Sequence, residues 1–414
     1  MRKRVVAPTR DLLPPIASSA RSLYSEGTSC FSKEVPVSET AGRILVIGSV
    51  TIDNIVAVAQ EAIERISLHN GETSFLLLEQ GRKVEAESIS SHVGGGAANV
   101  AVSMARQGLA VDVLALAGDD LNGRKIHQRL IDEGVGVDYF FTEPNWQTGN
   151  SILVYSHDKN AAIFTKRGEN SGIEGQLQHI DFNRYRMVYV GCLSSLSRHA
   201  LPRIVELAKS AGCLVALNPC MGRDEGAIEQ FLSVAEDIDY LSLNKQETID
   251  LLSLTHRRLN TKLPLLATDI EVKPPLMQSG LHVNDYWLPL NDVMSMICST
   301  GPRFFSLTDG GNGAYLFDGK QLLYCPAAQT APIGTAGAGD AFASTIVSQL
   351  LQGNDSARAL WVASRNAANV VAYMDTQSGL LTLKDIEQLL AAEDSSQVAI
   401  SIGKTVLPDE NLAF

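Results

Sequence analysis

The 414-residue chain has no apolar run as long as the roughly 18 residues that a membrane-spanning helix needs; the best candidate, 44–59, is interrupted by Asp53. A soluble protein is expected. Positive charge is also short, since 34 Lys and Arg stand against 46 Asp and Glu, a formal net charge of -12. Binding to nucleic acid or to an anionic membrane is driven by clustered positive charge, so neither is an expected partner. Charged residues reach only 19% while hydrophobic ones make up 45%, a balance that excludes a disordered polyelectrolyte and supplies a large core. The six cysteines (Cys30, Cys192, Cys213, Cys220, Cys298, Cys325) contain no CxxC pair and no Cys/His spacing suited to zinc. Most lie in apolar runs, as reduced core thiols of a cytoplasmic protein would.

Residues 1–42 carry Arg2, Lys3, Arg4, Arg10 and Arg21 among scattered Ser and Pro, without apolar periodicity. They read as a disordered leader; Glu26, Glu34 and Glu39 weigh against an organellar transit peptide. Order begins at Arg43, where Ile44-Leu45-Val46-Ile47-Gly48 has the unbroken apolar character of a parallel strand buried on both faces. Strand and helix patterns then alternate: helix 97–107, strand 111–117, helix 123–133, strand 187–190, helix 200–210, strand 214–217, helix 228–235, strand 240–243. This rhythm predicts an α/β fold with a doubly wound, mostly parallel sheet. Two segments break it, 54–93 and 149–168. Their period-2 patterns, with 151–155 and 161–164 flanking a turn at Asp158-Lys159-Asn160, predict a small inserted β-rich lid. A Pro-rich stretch at 256–296 reads as an insertion, and 396–414 as a C-terminal tail after a domain spanning 43–395.

Chemistry concentrates in Gly334-Thr335-Ala336-Gly337-Ala338-Gly339-Asp340, which opens a long apolar helix pattern running to about Leu351. Glycines let a ligand approach the backbone, and the first free N–H groups of a helix point at whatever anion sits there. A carboxylate at the rim of such a cradle repels a phosphate unless its task is to take a proton from a hydroxyl attacking phosphorus. The competing explanation is an acidic residue stabilised by the helix dipole. Neither GxxxxGK[ST] nor GxGxxG occurs, so a P-loop and a dinucleotide-dependent oxidoreductase are not supported. A second Gly-rich run, Gly94-Gly95-Gly96-Ala97-Ala98-Asn99, also opens a helix. Its Asn99, with Asp53 at the end of the first strand, offers hydrogen-bond partners suited to a polyhydroxyl ligand, with close helix–strand packing as the alternative.

From about Arg43 to Leu390 these residues resemble the ribokinase-like carbohydrate kinase family, the phosphofructokinase B group. Five pieces match in order: Asp53; Gly94-Gly95 with Asn99; Asn244-Lys245-Gln246-Glu247, resembling the family's NxxE motif; Leu307 to Gly313; and Gly337-Ala338-Gly339-Asp340. The resemblance implies an ATP-dependent kinase acting on a hydroxyl of a small sugar or sugar-like substrate. Asp340 would be the general base and the Gly337, Ala338 and Gly339 backbone the anion hole, with Asp53, Gly94, Gly95 and Asn99 on the substrate. It further implies Asn244, Thr308, Gly310, Gly313 and Asn366 toward the nucleotide, Glu247 toward Mg²⁺ or its waters, and a lid closing over the sugar. A homodimer through the lid is the expected self-association. The chain departs from the family at Gly334, commonly Asp, and at Gly191-Cys192-Leu193, which lacks an acidic sugar contact. A nucleoside kinase of the same family and a sugar-sensing protein with weak turnover remain the alternatives.

Overall fold

A computed structural model describes residues 42–58, 64–67, 74–77, 81, 83–155, 161–168, 172–193, 197–255, 265–267, 272–392 and 399–405; the predicted leader, apart from Gly42, and the predicted turn at 158–160 lie outside them. The apolar runs form the centre of an 11-stranded sheet. Seven strands are parallel, in the spatial order Phe304–Thr308, Tyr240–Asn244, Leu214–Leu217, Tyr185–Val190, Arg43–Ile47, Val111–Gly118, Gly136–Glu143. Ile44 to Ile47 are fully buried because helices cover both faces, as a parallel sheet requires. One face packs against helices Leu201–Ser210, Glu225–Val234 and Leu290–Cys298, the other against Gly96–Arg106, Ala338–Leu351 and Ser356–Val370. Asp112 ties three neighbouring strands together, accepting from Arg43 Nε at 3.0 Å and from the Tyr185 hydroxyl at 2.7 Å.

Beyond Phe304–Thr308 the sheet continues antiparallel through Ala314–Phe317, Gln321–Cys325, Ile400–Thr405 and Leu265–Ala267. This corrects one expectation, that 396–414 is only a tail, and gives structure to the 256–296 insertion. The 396–414 tail contributes a strand to the central sheet, and the 256–296 insertion contributes that strand's outer neighbour, a hairpin (Leu281–Val283 with Tyr286–Leu288) and the buried helix Leu290–Cys298. The physical reason is that an added edge strand takes its register from a distant partner and carries no local signal.

The lid is a separate four-stranded sheet in the order Ala86–Gly94, Thr51–Val58, Gly149–Tyr155, Ala161–Lys166. Within the 54–93 segment, Glu64–Ser67 and Ser74–Leu77 form a further two-stranded ribbon. Asp53 is accordingly not at the end of the first strand. That strand stops at Ile47, and Asp53 sits in the first lid strand opposite His92 and Ser151. The apolar residues on both sides, Ile44 to Ile47 and Val50 to Val58, hide the break at Gly48 to Val50.

Helices Gly96–Arg106 and Ala338–Leu351 are rich in Ala and Ser and pack side by side. A buried polar seam locks them together. Ser344 Oγ donates to Ser103 Oγ at 2.7 Å, and Gln107 Nε2 donates to Ser103 Oγ at 3.1 Å and to Thr345 Oγ1 at 3.0 Å. Pairing of this kind fixes the axial register of the two helices, and so the relation between the two Gly-rich runs at their N-termini.

Candidate active site

Gly337 caps helix Ala338–Leu351 in the left-handed conformation, at φ +80, which favours glycine. A Cβ there would also fall 2.7 Å from Thr376 Cβ. The first closed turn is Ala341 N–H to Gly337 O at 2.9 Å, so the N–H groups of Ala338, Gly339 and Asp340 have no acceptor within the helix. The ideal Cβ position at Gly339 has no atom within 4 Å, leaving that face of the turn open. The four predicted residues Gly337, Ala338, Gly339 and Asp340 therefore form a helix N-terminus able to receive an anion.

The Asp340 side chain does not cap its own helix. Its Oδ2 accepts instead from Asn99 Nδ2 at 2.9 Å, and Asn99 Oδ1 accepts in turn from Thr376 Oγ1 at 2.8 Å. Burial pushes Asp340 up to about 6; the Asn99 bond opposes this, and the charges of Glu247 and Asp53 add to it. A carboxylate tuned toward neutrality and aimed by an amide can accept a proton from a nearby hydroxyl. Asn99 is only 4% exposed with both ends of its amide engaged. In this structure it orients Asp340, where a contact to an acceptor hydroxyl was expected.

Asp53 reaches the same region from the lid. It is 9% exposed, its Oδ1 accepts from Thr51 Oγ1 at 3.0 Å, and burial raises it despite hydrogen bonds from Thr51 and Ser151. The predicted glycines frame it. A Cβ on Gly94 would overlap the Asp53 carboxylate, while Gly95 at φ +93 brings its backbone to a place where a Cβ would lie 2.6 Å from Ser49 O. Gly94→Ala and Asp53→Ala are expected to weaken acceptor binding to a similar degree, each by about 1–3 kcal/mol, the cost of an unpaired buried hydroxyl. Combined, they should lose little more than either alone. Calorimetric titration of acceptor and nucleotide on the two single variants and the double variant checks this, and fully additive losses would show that Gly94 acts independently of Asp53.

Asn244 and Glu247 form a reciprocal cap at the start of helix Lys245–Thr255. Glu247 N–H donates to Asn244 Oδ1 and Asn244 N–H to Glu247 Oε2, both at 2.9 Å. Burial and the charge of Asp250 raise Glu247, so a cation beside it would relieve repulsion. Among the described residues no group of three or more His, Cys, Asp or Glu is arranged to hold a metal ion. Glu247 alone would therefore fit Mg²⁺ only through the ion's waters. Thr308 ends its strand beside Asn244 in register. The turn after it is closed by Asp309 N–H to Gly313 O at 2.9 Å, with Gly310 at φ +54 and open space around it. Lys245 Nζ, 3.4 Å from Asp309, spans from the cap to this turn. Lys245 lies inside the NxxE stretch at a position the motif leaves open, and Thr376 lies outside every motif; the fold brings both to the site.

Asn366 is a correction. It is 0% exposed, donating to Thr345 Oγ1 at 2.8 Å and accepting from Leu381 N–H at 2.9 Å, and so belongs to the helix seam where a purine contact was expected. Its polar ends are satisfied inside the core, leaving nothing to present to a base. Asn366→Ala should cost about 1–3 kcal/mol of stability by orphaning buried partners and leave nucleotide affinity unchanged; denaturant unfolding together with nucleotide titration measures both.

The order of these pieces along the chain is decisive when set against known families. Residues 43–280 and 282–383 match the model described as pfkB family carbohydrate kinase. The chain belongs to the pfkB family. It is a phosphotransferase with an alcohol group as acceptor, a kinase of the sugar and nucleoside class. Ribokinase of Bacillus subtilis (strain 168) is 24% identical over 354 residues, covering 84% of this chain and 99% of the relative. Among solved structures, Arabidopsis thaliana ribokinase complexed with ribose and ATP superposes with a TM-score of 0.61 at 20% identity, covering 85% of this chain and 100% of that one. Burkholderia thailandensis nucleoside kinase in complex with inosine gives 0.62 at 16%, covering 84% and 97%. These likenesses establish the ribokinase-like fold. Among the described residues no helix of the pfkB chain is long and apolar enough to cross a membrane.

Proposed function

We propose that this kinase transfers the γ-phosphoryl group of ATP to a hydroxyl of a small sugar or sugar-like acceptor, with Asp340 as the general base. One observation carries the reading: a single carboxylate, raised to about 6 and held by Asn99, stands at the rim of a helix N-terminus whose N–H groups are unpaired. Asp53 would hold an acceptor hydroxyl from the lid, bringing the attacking oxygen to Asp340. Asp340 takes its proton as the oxygen moves in line on phosphorus, and the Ala338 and Gly339 N–H groups receive the charge that builds on the phosphoryl oxygens. Thr308, Gly310 and Gly313 are proposed to line the nucleotide. Mg²⁺, when bound with the nucleotide, would neutralise phosphate charge, with Glu247 ordering its waters. Closure of the lid excludes water, which competes as acceptor.

A nucleoside acceptor is the second reading. A cavity of about 290 Å³, lined by Arg167, Leu193, Pro219, Cys220 and Met221 among others, lies past the ends of strands Tyr185–Val190 and Leu214–Leu217 and would admit a group larger than a monosaccharide. The test is coupled ADP release from the purified protein across pentoses, hexoses and nucleosides. A preferred monosaccharide supports the first reading and a preferred nucleoside the second. Acceptor binding by calorimetry without ADP release on any compound would overturn both in favour of a sensing role. A homodimer through the lid is proposed on the exposed apolar side chains Ile89, Ile152 and Phe164 of the lid sheet, the last two opposite each other in register.

A further inference from the structure

Two cysteines that the proposed chemistry does not use meet at the edge of the site. Cys192 follows strand Tyr185–Val190 by two residues, and Cys220 follows Leu214–Leu217 by three. These strands are neighbours with Val190 opposite Leu217, and Asn218 N–H closes on Val190 O at 3.0 Å, so both thiols emerge at the same sheet edge. There the two thiols are close enough to shift each other's titration, Cys192 down and Cys220 up. Cys220 is exposed and Cys192 half-buried. Cys220 is also held at φ +46, one of two non-glycine residues with positive φ among those described, a conformation that L side chains rarely adopt.

The surroundings distinguish the pair from the other thiols. Arg167, just past the last lid strand, brings Nη1 to 3.7 Å from Cys192 Sγ. Cys220 and Arg167 hold the Cys192 thiol below its ordinary range, against burial and the charge of Asp340. Cys213, Cys298 and Cys325 are buried, and burial pushes all three up, Cys213 to about 11. Thiolate character and access together govern attack on an oxidant, so Cys192 is the nucleophile of the set and Cys220 the resolving thiol.

We propose that Cys192 and Cys220 are a modification site for peroxides, closing reversibly to a disulfide that distorts the active site beside Gly96 and Asp340. The Cys192 thiolate attacks one oxygen of hydrogen peroxide and the O–O bond breaks. The leaving hydroxide takes up a proton as water, and Cys192 is left as a sulfenic acid. Cys220 sulfur then attacks Cys192 sulfur. The S–S bond forms, the S–O bond breaks, and the departing hydroxide leaves as water with the Cys220 proton. Two electrons pass from the two sulfurs to the peroxide, and a small-molecule dithiol reverses the change by exchange. Closure fixes the sulfurs about 2.05 Å apart. It displaces Cys220, which lines the cavity, and it moves Cys192, whose N lies 3.5 Å from where a Cβ on Gly96 would stand, a point 3.8 Å from Asp340 Oδ1. It also removes the thiol that faces Arg167.

The cross-link follows from where the two strands place the thiols, whereas its effect on turnover rests on the kinase reading. The full-length reduced protein is exposed to hydrogen peroxide, its disulfides are mapped by peptide mass spectrometry, and ADP release is followed on the acceptor that the screen identifies. A Cys192–Cys220 cross-link with at least a tenfold fall in acceptor kcat/KM, restored by dithiothreitol, is expected. The Cys220→Ser variant should form no cross-link and instead give a dimedone adduct on Cys192. Oxidation that reaches Cys213, Cys298 or Cys325 first, no bond between Cys192 and Cys220, or a bond that leaves kcat/KM unchanged overturns the switch. Reduced protein that phosphorylates no acceptor overturns the kinase reading, and the mapped bond then decides the modification site by itself.

Discussion

Replacing Asp340 by Asn is expected to lower kcat by about 10²- to 10⁴-fold, the usual loss on removing a general base, with nucleotide affinity preserved. Asn keeps the shape and can still meet the Asn99 amide after a flip, so the fold should be intact. The wild-type rate should rise with pH through about 6, because Asp340, raised there mainly by burial, must be ionised to accept a proton. Stability should run the other way. A carboxyl whose folded pKa lies above its unfolded one favours the fold when protonated, and that contribution is lost as pH rises toward 6. The Asn variant should therefore gain Tm relative to wild type above pH 6 and show little gain near pH 4. Steady-state kinetics and thermal melts across pH 4 to 8 read both trends. A variant with near-wild-type kcat would remove Asp340 from the base role.

Gly337→Ala should lower kcat by about 10²-fold, comparable with loss of one oxyanion donor, and should lower Tm as well. The backbone at φ +80 resists any side chain, and the added Cβ would press on Thr376 Cβ from 2.7 Å. Relief must move either the turn that presents the Ala338 and Gly339 N–H groups or the residue that orients Asn99, and both lead to Asp340. Gly339→Ala is the internal control. No neighbour crowds its Cβ position, so it should keep its Tm and lose activity only through blocked approach to the turn. Equal Tm losses in the two variants would show that general helix-start disruption, and not the Thr376 contact, governs the effect.

The doubly wound core was legible because a parallel strand buried on both faces must be an unbroken apolar run, and Ile44 to Ile47 is one. The GAGD turn was legible because glycine, helix start and acidic residue are adjacent in sequence. What escaped depends on contacts made across the chain. Thr376 meets Asn99 across 277 positions, so no local pattern marks it as part of the site. Asn366 looks the same in sequence whether it faces a ligand or Thr345; only its complete burial decides. Asp53 was identified as a site residue and misplaced in the fold, since a buried lid strand following a buried core strand leaves apolar residues on both sides of the break.

The strand Ile400–Thr405 lies between Gln321–Cys325 and Leu265–Ala267. During synthesis, Leu265–Ala267 leaves the ribosome well before Ile400–Thr405, its partner among the described strands, has been made. The sheet must therefore wait with its Gln321–Cys325 edge open until translation has passed residue 405 and cleared the exit tunnel. An edge of unpaired backbone is a template for pairing with another chain. The nascent kinase is thus exposed to misassembly until that strand emerges, and an arrested chain stopping near 399 should bind chaperones that a chain carrying Ile400–Thr405 does not.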